Sequence, residues 1–567
     1  MIFDIKDYDN EWRCNMNEMV NGYVQIGDHM QKISAKRGMT VLEALRVCGI
    51  LIYSPCGGNG TCGKCRAVIE GEVTPLCEKE KAVLGEKEIA DGVRLSCMCK
   101  ILGDFSARVK VDTLEIETKS RSVSYAHAPM LTCVKSETDT KFYTDDGSLF
   151  EIAAPDAENL GFAVDIGTTT VAVYLCDMNT GKTIGVRAFA NPQSAYGADV
   201  ISRIDKIMKD KRALEEQQKL ITQAIRRAAE EICKEKGFSF LDVRAAVIGG
   251  NTVMQHIAAG IDPSSIANAP FIAPTLFGED YSAHELGLLE NAKAKAYFAP
   301  CFASYVGGDI ACGMIATGLD SCAENALFVD IGTNGEIGLS SKNGLYFCSA
   351  AAGPALEGAH IECGMSGIVG AVSEISVKNG ELHYQTISDA APIGICGSGI
   401  IDAVAVMLET GLLDETGCIA DESDDYHALL DEDEEGDLTF RITEGVYMTG
   451  KDIREVQLAK AAICAGIRTL LKEANLSTDD IDKVVIAGGF GSHIRKESAC
   501  RIGLIPAELL DKITFAGNTA GAGAVALLLS REAREKAAHI REKATYLELS
   551  QNATFMEQYI EEMMFEE

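Results

Sequence analysis

Residues 54–68 read SPCGGNGTCGKCRAV, and the stretch admits two incompatible parsings. Gly58, Gly63 and Lys64 spell most of a phosphate-cradling G-x-x-x-x-G-K loop, while Cys56, Cys62 and Cys65 spell C-x5-C-x2-C. A phosphate loop would continue with Ser or Thr and open a helix. Here Cys65 follows Lys64, and RAVIEGEV then has the β-branched alternation of a strand. The three cysteines, spaced on a glycine-rich loop that lets backbone wrap closely around a ligand, suit an iron–sulfur cluster near the plant-type spacing. Zinc is the alternative, although it more often takes its cysteines as two paired knuckles. A fourth ligand is expected in RLSCMCK, with Cys97 preferred over Cys99 and Cys77.

The rest of the composition narrows the setting. The chain has 567 residues, 47% hydrophobic and 24% charged, enough for several domains. Its 84 acidic against 52 basic residues leave a formal charge of −32, which repels nucleic-acid backbones and anionic membrane surfaces. No apolar run approaches the ~20 residues of a bilayer span, and the acidic start MIFDIKDYDNEW is unlike a signal peptide. A cytoplasmic protein is expected, in which most of the 20 cysteines are small buried hydrophobes rather than disulfides.

The cysteine loop, with TVLEALRVCGI before it and RLSC after it, resembles a [2Fe–2S] ferredoxin domain of the adrenodoxin and plant kind over residues 22–112. That resemblance implies a β-grasp fold with TVLEALRVCGI as its helix and Cys56, Cys62, Cys65 and Cys97 as the metal ligands. Residues 113–158 are polar and weakly periodic, so they are expected as a linker with a little strand structure.

A different pattern starts at 159 and runs to 567. FAVDIGTTTVAVYL is an apolar strand, a Gly/Thr turn and a second alternating strand, which predicts a β-hairpin. FVDIGTNGEIGL repeats it near 327, and Val164–Thr168 and Val329–Thr333 are identical pentapeptides. An internal repeat of this kind predicts two similar halves. Gly and Thr in each turn offer amides and hydroxyls to phosphate, and a carboxylate at a strand end can hold Mg2+ through water. Together with VVIAGGFGSHI and AGNTAGAGAVALLL, these hairpins resemble the sugar-kinase, heat-shock-protein and actin superfamily. The resemblance implies ATP held by Gly167, Thr168, Thr169 and Thr170 on one side and by Gly332, Thr333, Asn334 and Gly335 on the other, with Gly488, Gly489 and Gly491 at the adenosine. Asp165 and Asp330 would serve Mg-ATP, and Glu336 and Asp309 are candidates for orienting the attacking water.

Further blocks, among them NPQSAYGADVISRI, GGNTVMQHIAAGIDP, YVGGDIACGM, AAAGPALEGAHIECGMSGIVGAV, ICGSGIIDAV and DIREVQLAKAAICAGI, resemble the reductive activators of corrinoid proteins. This family implies an α/β multidomain chain, a ferredoxin domain followed by a two-subdomain actin-like ATPase. The function implied is ATP-driven transfer of one electron to Co(II) of a partner corrinoid protein, fed by a low-potential donor. No D-x-H-x-x-G cobalamin fingerprint occurs, which assigns the corrinoid to the partner. No cysteine-rich segment follows FMEQYIEEMMFEE, unlike the methylamine-pathway activators. The alternatives are an activator of a 2-hydroxyacyl-CoA dehydratase, which carries its cluster between subunits; a small-molecule kinase, which leaves the ferredoxin domain idle; and an actin-like scaffold without redox activity. A homodimer is among the assemblies the sequence allows. His256 and His493 are read as structural, 209–237 as a packed surface helix and DEDEEGD at 431–437 as a solvated loop.

Overall fold

The computed structural model describes residues 19–26, 29–48, 50, 52, 54, 58, 60, 63–109, 123–197, 199–319, 324–378, 380–420, 426–433, 436–488 and 491–566. The chain divides into two compact units, one of residues 1–113 with Ala190–Lys209, the other of Leu114–Phe189 with Asp210–Glu567.

The first unit is a five-stranded sheet with one principal helix. Its strands are β1 (Met19–Ile26), β2 (His29–Lys36), β3 (Arg66–Val73), β4 (Val93–Leu95) and β5 (Ile101–Val109), in the order β2-β1-β5-β3-β4. β1 and β5 run parallel, and the other pairs are antiparallel. β5 alternates strictly, burying Ile101, Gly103, Phe105, Ala107 and Val109 against the helix α1 (Val41–Val47). A capping box starts α1: Glu43 N donates to Thr40 Oγ1 at 3.2 Å and Thr40 N to Glu43 Oε2 at 2.8 Å. This is the expected β-grasp arrangement, with the cysteine loop between α1 and β3. The segment 190–209 folds with this unit: its turn Pro192–Ala195 packs on α1, and its helix Val200–Lys209 buries Arg203, Ile204 and Ile207.

In the second unit, the stretch expected as a linker with a little strand structure contains three strands. Residues 131–153 form an antiparallel meander, β6 (Leu131–Lys135), β7 (Thr140–Thr144) and β8 (Leu149–Ala153), that buries Leu131, Phe142 and Phe150 in the main core. The Arg244 guanidinium lies 3.8 Å over the Phe142 ring and its Nε donates to Glu151 Oε2 at 2.8 Å. Val134, Leu149 and Ile152 lie exposed on its other face, so the strands lack the clean apolar–polar alternation of a half-buried sheet.

Two six-stranded sheets follow the same plan. The first has the order β11-β10-β9-β12-β14-β13, from β9 (Leu160–Ile166), β10 (Thr170–Asp177), β11 (Lys182–Ala190), β12 (Val243–Gly250), β13 (Glu279–Ser282) and β14 (Lys295–Phe298). The second places β15 (Ala326–Ile331), β16 (Gly335–Ser341) and β17 (Gly344–Ala350) between the strands Lys483–Ala487 and Ile513–Gly517 on one side and Ala544–Tyr546 on the other. In each, an antiparallel hairpin is continued by parallel strands, β12 on β9 and Lys483–Ala487 on β15. The helices Gly308–Thr317 and Thr519–Leu529 pack closely, because Gly523 lets the second backbone rest on the Cys312 carbonyl. Among the described residues no helix is long and apolar enough to cross a membrane.

Candidate functional site

The hairpin turns of the two sheets meet in one cavity of about 510 Å³. Asp165 is the penultimate residue of β9 and Asp330 that of β15, so the repeated pentapeptide delivers one carboxylate from each half. The turns are held by backbone bonds: Gly167 N donates to Thr170 O at 2.9 Å, and Gly332 N to Asn334 O at 3.0 Å. Gly167, Thr168, Thr169, Thr170, Gly332, Thr333 and Asn334 all line the cavity, as do Asp309 from the first turn of Gly308–Thr317 and Glu336 from β16.

Gly488 lines it too, directly after the strand Lys483–Ala487. Its φ of +91° suits glycine, and an added Cβ would sit 2.5 Å from Asp330 Oδ1. Gly335 and Gly491 are not among the residues that line the cavity. Gly335 is turned to Ile463 of the helix Gly450–Glu473, where an added Cβ would fall 2.6 Å from the side chain, and Gly491 is turned to Ile486. Both leave room for packing instead. Gly489 lies outside the described residues.

Among the cavity residues that sequence reading overlooked, three bond to the hairpins. Asn251 and Asn518 each cap a helix, accepting from Met254 N at 2.9 Å and Gly521 N at 2.8 Å. Their amides then reach the first hairpin, Asn251 Nδ2 to Thr168 Oγ1 at 3.0 Å and Asn518 Nδ2 to Asp165 Oδ2 at 3.3 Å. The available signal was a second repeat, Gly250-Asn251-Thr252 and Gly517-Asn518-Thr519. The third is Glu357, a half-buried carboxylate that accepts from Thr333 Oγ1 at 3.1 Å.

This concentration of acid has an electrostatic consequence. Burial pushes Asp165 up to about 6 and Asp330 up to about 7, the latter raised further by Asp165 and Glu357. Burial also raises Asp309 and Glu336, and neighbouring aspartates add to both shifts. A divalent cation would relieve this repulsion. Among the described residues no three His, Cys, Asp or Glu are arranged to hold a metal unaided, so the donor set fits a cation that keeps water or phosphate ligands. His256 is structural, as expected: its Nδ1 lies 2.6 Å from Thr252 O and its Nε2 accepts from Thr275 N at 3.3 Å. His493 lines the cavity with its side chain exposed.

In the first unit Cys56 and Cys62 lie outside the described residues, while Cys65 and Cys97 are buried. Ser96 stitches their two segments together, donating from both N and Oγ to Cys65 O at 2.9 Å. An added Cβ at Gly58 would lie 3.8 Å from Cys97 Cβ and 3.7 Å from Leu42 Cδ2, which puts Cys97 against the cysteine loop. Cys99 and Cys77 are grouped with the Arg94–Glu80 ion pair, and burial pushes the Cys99 thiol up to about 11. Glu80 is fully buried there, accepting from Arg94 and from Leu95 N.

Fold and site define an actin-like ATPase joined to a [2Fe–2S] ferredoxin domain, and comparison with known proteins agrees. Residues 24–102 match the 2Fe-2S iron-sulfur cluster binding domain, 160–322 the RACo middle region and 324–567 the C-terminal ASKHA domain of RACo. The chain is 34% identical over 417 residues to the corrinoid activation enzyme RamQ of Eubacterium limosum, covering 71% of this chain and 70% of that one. It is 25% identical over 448 residues to the [Co(II) methylated amine-specific corrinoid protein] reductase of Methanosarcina barkeri, covering 71% and 77%. The solved reductive activator for corrinoid,iron-sulfur protein superposes with a TM-score of 0.69 at 31% identity, covering 96% of this chain and 98% of that one. The chain belongs to the reductive activators of corrinoid proteins, a class of ATP-hydrolysing electron-transfer activases.

Proposed function

We propose that this protein returns the cobalt of a partner corrinoid protein from Co(II) to Co(I), passing it one electron from a [2Fe–2S] cluster and using ATP to make the step possible. One observation carries the reading: an electron-carrier fold and a cavity built from two acidic phosphate-type hairpins occur on one chain. Plant-type clusters lie near about −400 mV, and each ~100 mV of uphill gap costs about 2.3 kcal/mol per electron, within reach of ATP hydrolysis.

The residues divide the work. Cys56, Cys62, Cys65 and Cys97 hold the cluster, with Cys97 favoured over its rivals by its position against Gly58. The turns at Gly167–Thr170 and Gly332–Asn334 give N–H and O–H donors to phosphate oxygens, and Gly488 leaves space beside Asp330. Asp165 and Asp330 would hold Mg2+, which would neutralise phosphate charge, with Asn518 orienting Asp165. Asp309 and Glu336 are placed to orient the attacking water; burial and the neighbouring aspartates raise both carboxyls, so either can take its proton only in the ionised form. The protein works in the cytoplasm, where thiols stay reduced, and a low-potential donor recharges it. Nucleotide and corrinoid partner then change each other's affinity by one shared coupling free energy.

The test mixes reduced protein, ATP and a Co(II) corrinoid partner and follows the Co(I) absorption band. Parent protein forms Co(I) only with ATP. Asp330→Asn keeps the cluster spectrum but loses Co(I) formation, and Cys97→Ser loses both, while Cys99→Ser and Cys77→Ser keep their clusters. Equal Co(I) formation by Cys97→Ser and parent would remove the cluster from the route.

A further inference from the structure

The two phosphate-type hairpins account for only part of the cavity. Its lining also includes Ser373 and Glu374 of the strand Ala371–Lys378, Cys396, Gly397 and Ser398 at the start of the helix Gly397–Thr410, and His493. Hydroxyls and a carboxylate can pair with the hydroxyls of a ribose, and with the phosphates held by the hairpins these residues face the nucleoside. Three segments supply them, and the bonds between the segments converge just behind the lining. Strand and helix meet where Cys396 N donates to Val372 O at 3.0 Å and Ser398 Oγ to Ser373 O at 2.8 Å. Between Val372 and Glu374 the pairing of this strand with Glu381–Thr386 shifts register, a bulge that re-aims side chains. Its pairing with Gly394–Ile395 ends at Val372, so backbone groups further along need other partners. Asp402, one turn beyond Ser398 on the helix and 1% exposed, accepts from Ile375 N through Oδ2 at 3.1 Å. Arg495, two residues beyond His493, donates from Nη1 to Ile375 O at 3.1 Å, and the same nitrogen lies 3.7 Å from Asp402 Oδ2. Both backbone polar groups of Ile375 are thus met by side chains, one from each of the other two segments.

We propose that Asp402 and Arg495 are a positioning pair for the nucleoside of bound ATP, clamping the strand at Ile375 so that Ser373 and Glu374, Ser398 and His493 keep one mutual geometry. The inference rests on the ATP reading made above. Neither residue of the pair is among those that line the cavity, so both act through the segments they join. Loss of the clamp loosens the nucleoside end and leaves the hairpins, which sit on other strands, as they were. Binding of the nucleoside then weakens, while the reacting phosphates keep their contacts.

The test is steady-state ATP hydrolysis by full-length protein, with inorganic triphosphate, which has the phosphates and no nucleoside, as competing probe. Asp402→Asn keeps an oxygen for Ile375 N but drops the charge facing Arg495, and Arg495→Met drops the donor to Ile375 O while keeping the apolar stem. Each should raise KM for ATP roughly tenfold at the parental kcat and leave the inhibition constant of triphosphate unmoved. Arg495→Lys should recover most of the loss, because a single cationic nitrogen serves both contacts. A parental KM in both variants overturns the proposal, and so does a rise in KM matched by an equal rise in the triphosphate constant, the mark of general distortion. If Asp402→Asn fails to fold, Arg495→Met decides alone, since that side chain is 42% exposed. A parent protein that neither hydrolyses ATP nor binds triphosphate overturns the ATP reading itself, and this inference with it.

Discussion

The two cavity hairpins carry the same pentapeptide, Val164–Thr168 and Val329–Thr333, yet the surroundings give them different chemistry. The first is met by neutral amides, Asn251 on Thr168 and Asn518 on Asp165. The second is met by acid, with Glu357 on Thr333, Glu336 across the strand pair from Asp330, and bare backbone at Gly488. The residues arriving from elsewhere in the chain thus place one repeated turn in two electrostatic settings, the first steadied by amides and the second surrounded by further carboxylates.

The contrast can be broken most directly at the acidic side. Asp330→Asn should lower ATP hydrolysis by about 100-fold, the scale on which a single electrostatic group commonly acts, with the cluster spectrum unchanged. Steady-state ATPase assays check this, and a parental rate would dissolve the distinction between the hairpins.

Next come the two turn glycines. An added Cβ at Gly167 would lie 2.6 Å from the Thr170 carbonyl oxygen, while at Gly332 its nearest neighbour is Glu357 Oε1 at 3.5 Å. Gly167→Ala should cost about 1–3 kcal/mol in denaturant melts and Gly332→Ala much less. Equal costs would mean that the two turns are not as different as their surroundings.

A smaller effect is expected from the amides. Asn251→Ala and Asn518→Ala each remove a helix cap worth about 1 kcal/mol. Only Asn518→Ala also removes a donor from Asp165, so it alone should shift the pH dependence of nucleotide binding upward.

The subtlest difference concerns pH. Asp165 and Asp330 are held at about 6 and about 7 in the fold, above their ordinary value of 3.8, so the folded nucleotide-free protein retains their protons longer than the unfolded chain does. The stability they contribute is complete below about pH 3.8 and is lost as pH rises through about 6 to 7. Metal-free Asp330→Asn should therefore gain a few degrees of melting temperature over the parent between pH 5 and pH 8. Saturating Mg2+ with nucleotide should erase the gain.

How far the sequence was legible follows from the range of each interaction. The ferredoxin elements, both hairpins and Asp165 and Asp330 could be read because their signals are local: a cysteine spacing, a period-two alternation, a turn of Gly and Thr. Gly335 and Gly491 show the limit of such signals, since a glycine that admits Ile463 or Ile486 looks the same in sequence as one that admits a phosphate. The meander at 131–153 was legible only as a linker with a little strand structure, because Leu131, Phe142 and Phe150 are its few buried anchors and Val134, Leu149 and Ile152 blur the alternation.

By itself, then, the sequence determined the class of each local element and the presence of a cysteine loop and two phosphate-type turns, since these depend on backbone preference and ligand spacing within a few residues. Only the tertiary structure decided that Asn518 steadies Asp165 across 353 positions of chain, and that residues 190–209 bury Arg203 in the ferredoxin unit. Burial and electrostatic contact between such distant positions arise from packing, and no local pattern encodes them.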